Sequence, residues 1–187
     1  MLVVVVGPSG AGKDTLMERA RAALAGDARF RFVRREVTRP ADAGGEDHVA
    51  VTPAQFTARH SAGAYALAWQ AHGLGYGIPA SVAQDIARGD VVVANISRAA
   101  ITEAAAKFPT LVLEITAPAA MLARRLAARG RESAGDIAAR LARDVALPAG
   151  VPVVRVMNDR TPEEGTAEVL AALRGALSPA AQCAARP

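Results

Sequence analysis

Near the start of the chain, Gly7-Pro8-Ser9-Gly10-Ala11-Gly12-Lys13 carries the G-x-x-x-x-G-K spacing of a loop that cradles phosphate. Glycines at those places let the backbone curl until successive N–H groups point at one anion. A helix following the curl adds the positive end of its dipole. Lys13 then brings a point charge to the outer phosphates. The next position ordinarily holds Ser or Thr, whose hydroxyl binds magnesium. In this chain it is Asp14, with Thr15 one place later. A plain glycine turn between strand and helix gives Lys13 no purpose, so the segment predicts binding of nucleotide phosphates.

Several other residue types fit phosphate chemistry. Arg39 sits in Thr38-Arg39-Pro40, and a run of arginines includes Arg124, Arg125, Arg129, Arg131 and Arg140. Planar guanidinium forks recognise phosphate oxygens in pairs. His48, His72 and Tyr76 lie in glycine-rich surroundings from which they could reach a ligand. No histidine has the spaced partners a metal site needs. Asn158-Asp159 follows an apolar run, at the sheet edge where doubly wound folds bind ligands; a simple turn into the Thr161 cap is the rival reading.

These residues need a scaffold, and the hydrophobic pattern supplies one. Strands are expected at 2–6, 30–34, 91–95, 110–115 and 152–156, alternating with helical patterns such as Thr15 to Leu24. That alternation predicts an α/β fold with a mainly parallel sheet covered by helices on both faces. Leu111 to Ile115 and Val153 to Met157 read as strands buried on both sides, interrupted by Glu114 and Arg155. Thr52-Pro53-Ala54-Gln55 and Thr161-Pro162-Glu163-Glu164 are capping boxes with proline at the first helical position. Pro79 is expected to open a helix that Gly89 closes, and Pro118 to open the helix carrying Arg124, Arg125 and Arg129.

Two stretches break the alternation. Residues 35–78 hold loop chemistry, a short strand at Val49 to Val51, a helix, and a Gly/His/Tyr-rich turn from His72 to Gly77. They read as a subdomain inserted into a core of 1–34, 79–128 and 137–177. Residues 129–136 form a charged connector with a glycine near each end, as expected of a mobile lid. The tail, 178–187, is expected to fray.

Composition bounds the function. At 187 residues, 51% hydrophobic and 21% charged, the chain is one globular domain. No apolar run approaches the roughly 20 residues that span a bilayer. The stretch Leu2 to Val6 reads as a buried strand, not a signal peptide. The single cysteine, Cys183, allows no internal disulfide, which makes the cytoplasm the default setting. The net charge is +4 and the pI near 10. A nucleic-acid surface, an anionic small molecule held by arginines, and a genome-wide bias toward Arg and Ala all give that balance. Few aromatics and dispersed arginines argue against nucleic acid, and the phosphate loop favours the small molecule.

Taken in order, the phosphate loop, Val37-Thr38-Arg39-Pro40, the strand around Trp69, Gly75-Tyr76-Gly77, the arginine lid with Ile137 and Arg140, and Asn158-Asp159 resemble the guanylate kinase family over nearly the whole chain. Within it, the chain looks most like the branch that converts ribose 1,5-bisphosphate to 5-phosphoribosyl 1-diphosphate in phosphonate breakdown. The resemblance implies a three-layer P-loop kinase with an inserted acceptor-binding subdomain at 35–78 and a lid at 129–136. It implies ATP and Mg2+ as cofactors, with Gly7, Pro8, Ser9, Gly10, Ala11, Gly12, Lys13, Asp14 and Thr15 around the ATP phosphates. Arg125, Arg129 and Arg140 become the catalytic arginines beside Lys13, and Arg131 a weaker fourth. Asn158 and Asp159 become adenine contacts, and Arg39 the grip on the acceptor phosphate.

Departures from the family pattern cluster on the acceptor side. The base-reading positions of a guanylate kinase fall on Arg35 or its neighbour Glu36, and on Ala68. An alanine cannot accept hydrogen bonds from a guanine ring. The second phosphate-gripping arginine falls on Asp42, suited to sugar hydroxyls, and the gripping tyrosine falls near His48. Asp42, His48, Arg39 and Tyr76 are therefore the acceptor candidates, for a phosphorylated pentose. A strand-end Asp of the wider family falls on Asn95, and Asp14 is expected to restore the missing carboxylate, making these two the metal candidates. The rivals are a guanylate kinase with diverged base contacts and a non-catalytic module of the same fold. The surviving Gly7, Gly12 and Lys13 speak against the module.

Overall fold

The computed structural model describes residues 1–40, 47–128, 146–178 and 185. In chain order the strands are β1 (Leu2–Val6), β2 (Phe30–Phe32), β3 (Glu36–Val37), β4 (Val49–Ala50), β5 (Tyr65–Ala71), β6 (Leu74–Pro79), β7 (Val91–Asn95), β8 (Thr110–Thr116) and β9 (Val153–Met157). The helices are α1 (Lys13–Ala23), α2 (Pro53–Ser61), α3 (Val82–Ala87), α4 (Ile101–Lys107), α5 (Ala119–Ala128) and α6 (Pro162–Gly175), with a 3-10 turn at Arg98–Ala100.

Five strands form an all-parallel sheet in the order β2-β7-β1-β8-β9. Every residue of β1 is buried, because it is the central strand with helices on both faces. Alternation divides its side chains between two cores. Val3 and Val5 pack with Leu16, Leu122, Val169 and Leu173. Leu2, Val4 and Val6 pack with Leu67, Ile78, Val82 and Ile101. Each such aliphatic side chain contributes about 1.5–3 kcal/mol on burial, which fixes the loop that follows Val6 to the middle of the sheet.

The second sheet has the order β4-β3-β6-β5, with β3–β4 parallel and the remaining pairs antiparallel. Helix α2, started by the Thr52–Gln55 capping box, covers one of its faces with Phe56 stacked on Tyr65. On that face a Cβ at Gly75 would come within 2.9 Å of the Phe56 ring, and one at Gly77 within 2.5 Å of the Tyr65 ring. Those glycines make room for aromatic rings; they do not make a turn. The expected turn at His72 to Gly77 thus shrinks to His72-Gly73, whose φ values of 52° and 74° fit a two-residue hairpin loop. Gly75-Tyr76-Gly77 is strand.

Other expectations are corrected as well. Pro79 ends β6 opposite Tyr65 and does not open α3, since a strand terminus tolerates the missing N–H. β9 is an edge strand and not doubly buried: Val153, Val154 and Met157 are 40%, 36% and 40% exposed. Glu114 and Arg155 interrupt their strands because they are register partners, joined by a 2.7 Å ion pair. In the tail expected to fray, Ala185 is buried, and its carbonyl accepts a 3.1 Å hydrogen bond from the Thr110 N–H. The lid segment 129–136, with Arg129 and Arg131, lies outside the described residues, as do Arg140 and Asp42.

Candidate active site

The phosphate loop bridges β1 and α1 and owes its course to close contacts. Gly7 has φ 146°, and a Cβ there would sit 1.9 Å from the Ile115 carbonyl oxygen of β8. Gly12, the left-handed N-cap of α1, would place a Cβ 2.5 Å from Asn158 Nδ2. No side chain fits either place. Lys13 folds back over the curl, its Nζ donating to the carbonyls of Gly7 at 2.8 Å and Pro8 at 3.0 Å. The ammonium is thereby held at the mouth of the loop.

Two residues expected elsewhere brace this loop from behind. Asn158 is buried, and its Nδ2 donates to the Ala11 carbonyl at 2.7 Å. Arg125, on α5, donates to the carbonyls of Asn158 at 3.0 Å and Gly10 at 3.4 Å. The Asn158 side chain, expected at the adenine, is turned inward onto the loop backbone, while Asp159 beside it is exposed. Arg125 reaches the loop itself. Gly165, at the first turns of α6, keeps room for Asn158: a Cβ there would lie 3.1 Å from Asn158 Oδ1.

Asp14 and Thr15 are exposed in the first turn of α1. Asn95 closes β7 and is the register partner of Val5, so it too stands at the carboxyl edge of the sheet beside the loop. Among the described residues no group of three or more His, Cys, Asp or Glu side chains converges on one point. Glu114, unremarked as a site residue in the sequence, is the register partner of Val6 and only 6% exposed. It accepts from Arg98 at 2.9 Å and Arg155 at 2.7 Å, which compensates its burial and links the 3-10 turn after β7 to β9. A carboxylate inside an apolar run is the sequence signal that could have marked it.

On the second sheet, Arg39 and His48 meet. His48 is buried; its Nε2 lies 3.2 Å from the Arg39 carbonyl and its Nδ1 lies 3.4 Å from Arg39 Nη2. Arg39 Nε is buried without a hydrogen-bond partner. An orphaned buried guanidinium donor is costly unless an anion completes it. Tyr76 stacks on Trp69, and Arg35 lies over both rings. Glu36 faces the opposite way, toward α2, where it pairs with Arg59 and accepts from Tyr65 Oη at 2.6 Å. Burial first, and the Glu36 carboxylate second, push the Tyr65 phenol up to about 12. Ala68 pairs with Gly77 and so belongs to the α2 face, away from Arg35.

A five-stranded parallel sheet with a lysine-bearing glycine loop at its centre defines a P-loop kinase. A guanylate kinase of Anaplasma phagocytophilum shares the fold, with a TM-score of 0.68 and 18% identity, covering 97% of this chain and 88% of that one. No family model matches the chain. In sequence, a ribose 1,5-bisphosphate phosphokinase (PhnN) of Methylobacterium radiotolerans is 49% identical over 174 residues, 92% of this chain and 97% of that one. A bifunctional ribose 1,5-bisphosphokinase-thymidine phosphorylase of Azorhizobium caulinodans is 53% identical over 171 residues, 90% of this chain. The chain spans about a quarter (25%) of the length of that bifunctional relative. The chain belongs to the ribose 1,5-bisphosphate phosphokinase family.

Proposed function

We propose that the chain transfers the γ-phosphoryl group of ATP to ribose 1,5-bisphosphate, giving 5-phosphoribosyl 1-diphosphate and ADP, in the cytoplasm and in the service of phosphonate breakdown. The observation that carries this reading is the 49% identity to a phosphokinase of that name, extending over 92% of the chain. The residues fit the donor. Gly7 and Gly12 leave no space for a side chain where the triphosphate must approach, and Lys13 stands at the loop mouth.

The nucleophile is a phosphate oxygen on C1 of the sugar, already ionised near neutral pH, so no general base is needed. It attacks the γ-phosphorus while the bond to the bridging oxygen of ADP breaks. Catalysis then consists of positioning and of neutralising charge on the transferred group. Lys13 supplies charge at the outer phosphates, and Arg39 grips the accepting phosphate with its otherwise unmatched donor. Arg129 and Arg140 are proposed to join them from the lid, while Arg125 holds the loop and reaches the same phosphates. Asp42 and His48 are proposed to frame the sugar, His48 by orienting Arg39. Asp159 is the proposed adenine contact. Asp14 and Asn95 would hold Mg2+, which shields phosphate charge when bound.

An ADP-release assay with each acceptor alone tests the reading. Ribose 1,5-bisphosphate should support turnover, with 5-phosphoribosyl 1-diphosphate identified by phosphorus NMR. Turnover with GMP and none with the bisphosphate would overturn it.

A further inference from the structure

Asn158, directly after β9, is fastened through its backbone from two sides. Its N–H donates to the Thr116 carbonyl of β8 at 2.7 Å, and its carbonyl accepts from Arg125 of α5 at 3.0 Å. With the backbone held, the buried side chain reaches the Ala11 carbonyl of the phosphate loop at 2.7 Å. Two glycines on separate elements clear the space for it. Cβ atoms added at Gly12 and Gly165 would lie 2.5 Å from its Nδ2 and 3.1 Å from its Oδ1.

That bond acts on more than the carbonyl it meets. In a trans peptide the C=O of one residue and the N–H of the next point in opposite directions. Drawing the Ala11 carbonyl back onto Asn158 therefore turns the Gly12 N–H away from Asn158. Gly12 caps α1 at φ 84° and ψ 18°, so this amide leads the N–H groups of the helix N-terminus. A glycine lets its peptide flip at little cost, and the brace removes that freedom. Arg125 pulls the neighbouring carbonyl, Gly10, at 3.4 Å, but the N–H paired with that one, on Ala11, already donates to the Pro8 carbonyl at 3.3 Å. The peptide between Ala11 and Gly12 is thus the one whose N–H the brace aims at an anion.

Resting on the proposed use of ATP, we propose that Asn158 is a positioning residue for the donor: it holds the Gly12 amide toward the phosphates and does not contact the adenine. Inorganic tripolyphosphate, which has the phosphates and no base, is the probe. It and ATP are titrated calorimetrically in the presence of Mg2+. Asn158→Ala should weaken both by a common factor of at least about fivefold. A loss for ATP alone would put Asn158 at the base. That result, unchanged affinity for both ligands, or no binding of tripolyphosphate by the wild type would overturn the assignment. Amide NMR reads the positioning itself. Saturating tripolyphosphate should move the Gly12 proton resonance downfield in the wild type and less far in the variant, and equal movements would also overturn it. Gly165→Ala crowds Asn158 from α6 without removing its amide. It should weaken the two ligands together by a smaller factor, and it carries both measurements if the Asn158 variant fails to fold. No acceptor is present in these experiments, so their outcome is separate from whether the wild type turns over ribose 1,5-bisphosphate.

Discussion

Asn158 serves the phosphate loop from behind it. Its amide closes a gap between Ala11 and α6 that two glycines, Gly12 and Gly165, keep open for it. Lys13 was legible from spacing within eight residues of chain, because the loop is a local device. Asn158 acts on a residue 147 positions away, and no local pattern could announce that contact. The same holds for Arg125, whose target carbonyls at Gly10 and Asn158 belong to other elements. At this scale the metal proposal is also testable. Asp14→Ser should lower Mg2+-dependent kcat/KM about 100-fold, or roughly 2.7 kcal/mol. Adding Asn95→Asp should recover at least about tenfold of the loss, since one carboxylate would replace the other. Additive losses in the four-member cycle would rule out a shared ion.

At the level of elements, most of the parallel sheet was readable because continuous apolar runs and capping boxes act within a few residues. In the second sheet, the short strand expected at Val49 to Val51 is β4 and the strand around Trp69 is β5. What escaped was the rest: β3 is two residues, too short for any periodic signal, and β6 is disguised by glycines that suggest a turn. The glycines are explained only by rings arriving from α2 and β5. Likewise, the edge position of β9 depends on strand order, which composition does not reveal. The polar tie across this sheet makes a pH prediction. Tyr65 holds its proton up to about 12 in the folded protein against 10.0 for an ordinary phenol. Between about pH 10 and 12 the unfolded chain loses a proton that the folded chain keeps, so stability falls as pH rises through that window. Tyr65→Phe removes the hydrogen bond to Glu36 and should destabilise by about 1.5 kcal/mol at pH 8. Urea unfolding should show the deficit shrinking by pH 11; a gap independent of pH would contradict the role given to the phenol.

Across the whole molecule, the proposed transfer divides between two sheets: the parallel sheet carries the phosphate loop at its centre, and Arg39, in contact with His48, lies beside the smaller sheet. Among the described residues no helix is long and apolar enough to cross a membrane. The course of the phosphate loop between β1 and α1 was legible from sequence, since it is set by local backbone and glycine. The proposed acceptor side was read only as a set of departures from the guanylate kinase pattern. That Glu36 faces α2 needed the strand register to decide. The central claim is that the acceptor pocket takes a sugar bisphosphate in preference to a purine nucleotide. A single reaction with limiting γ-labelled ATP and equal concentrations of ribose 1,5-bisphosphate and GMP measures that preference directly. The label is predicted to appear in 5-phosphoribosyl 1-diphosphate, and its appearance in GDP would contradict the account.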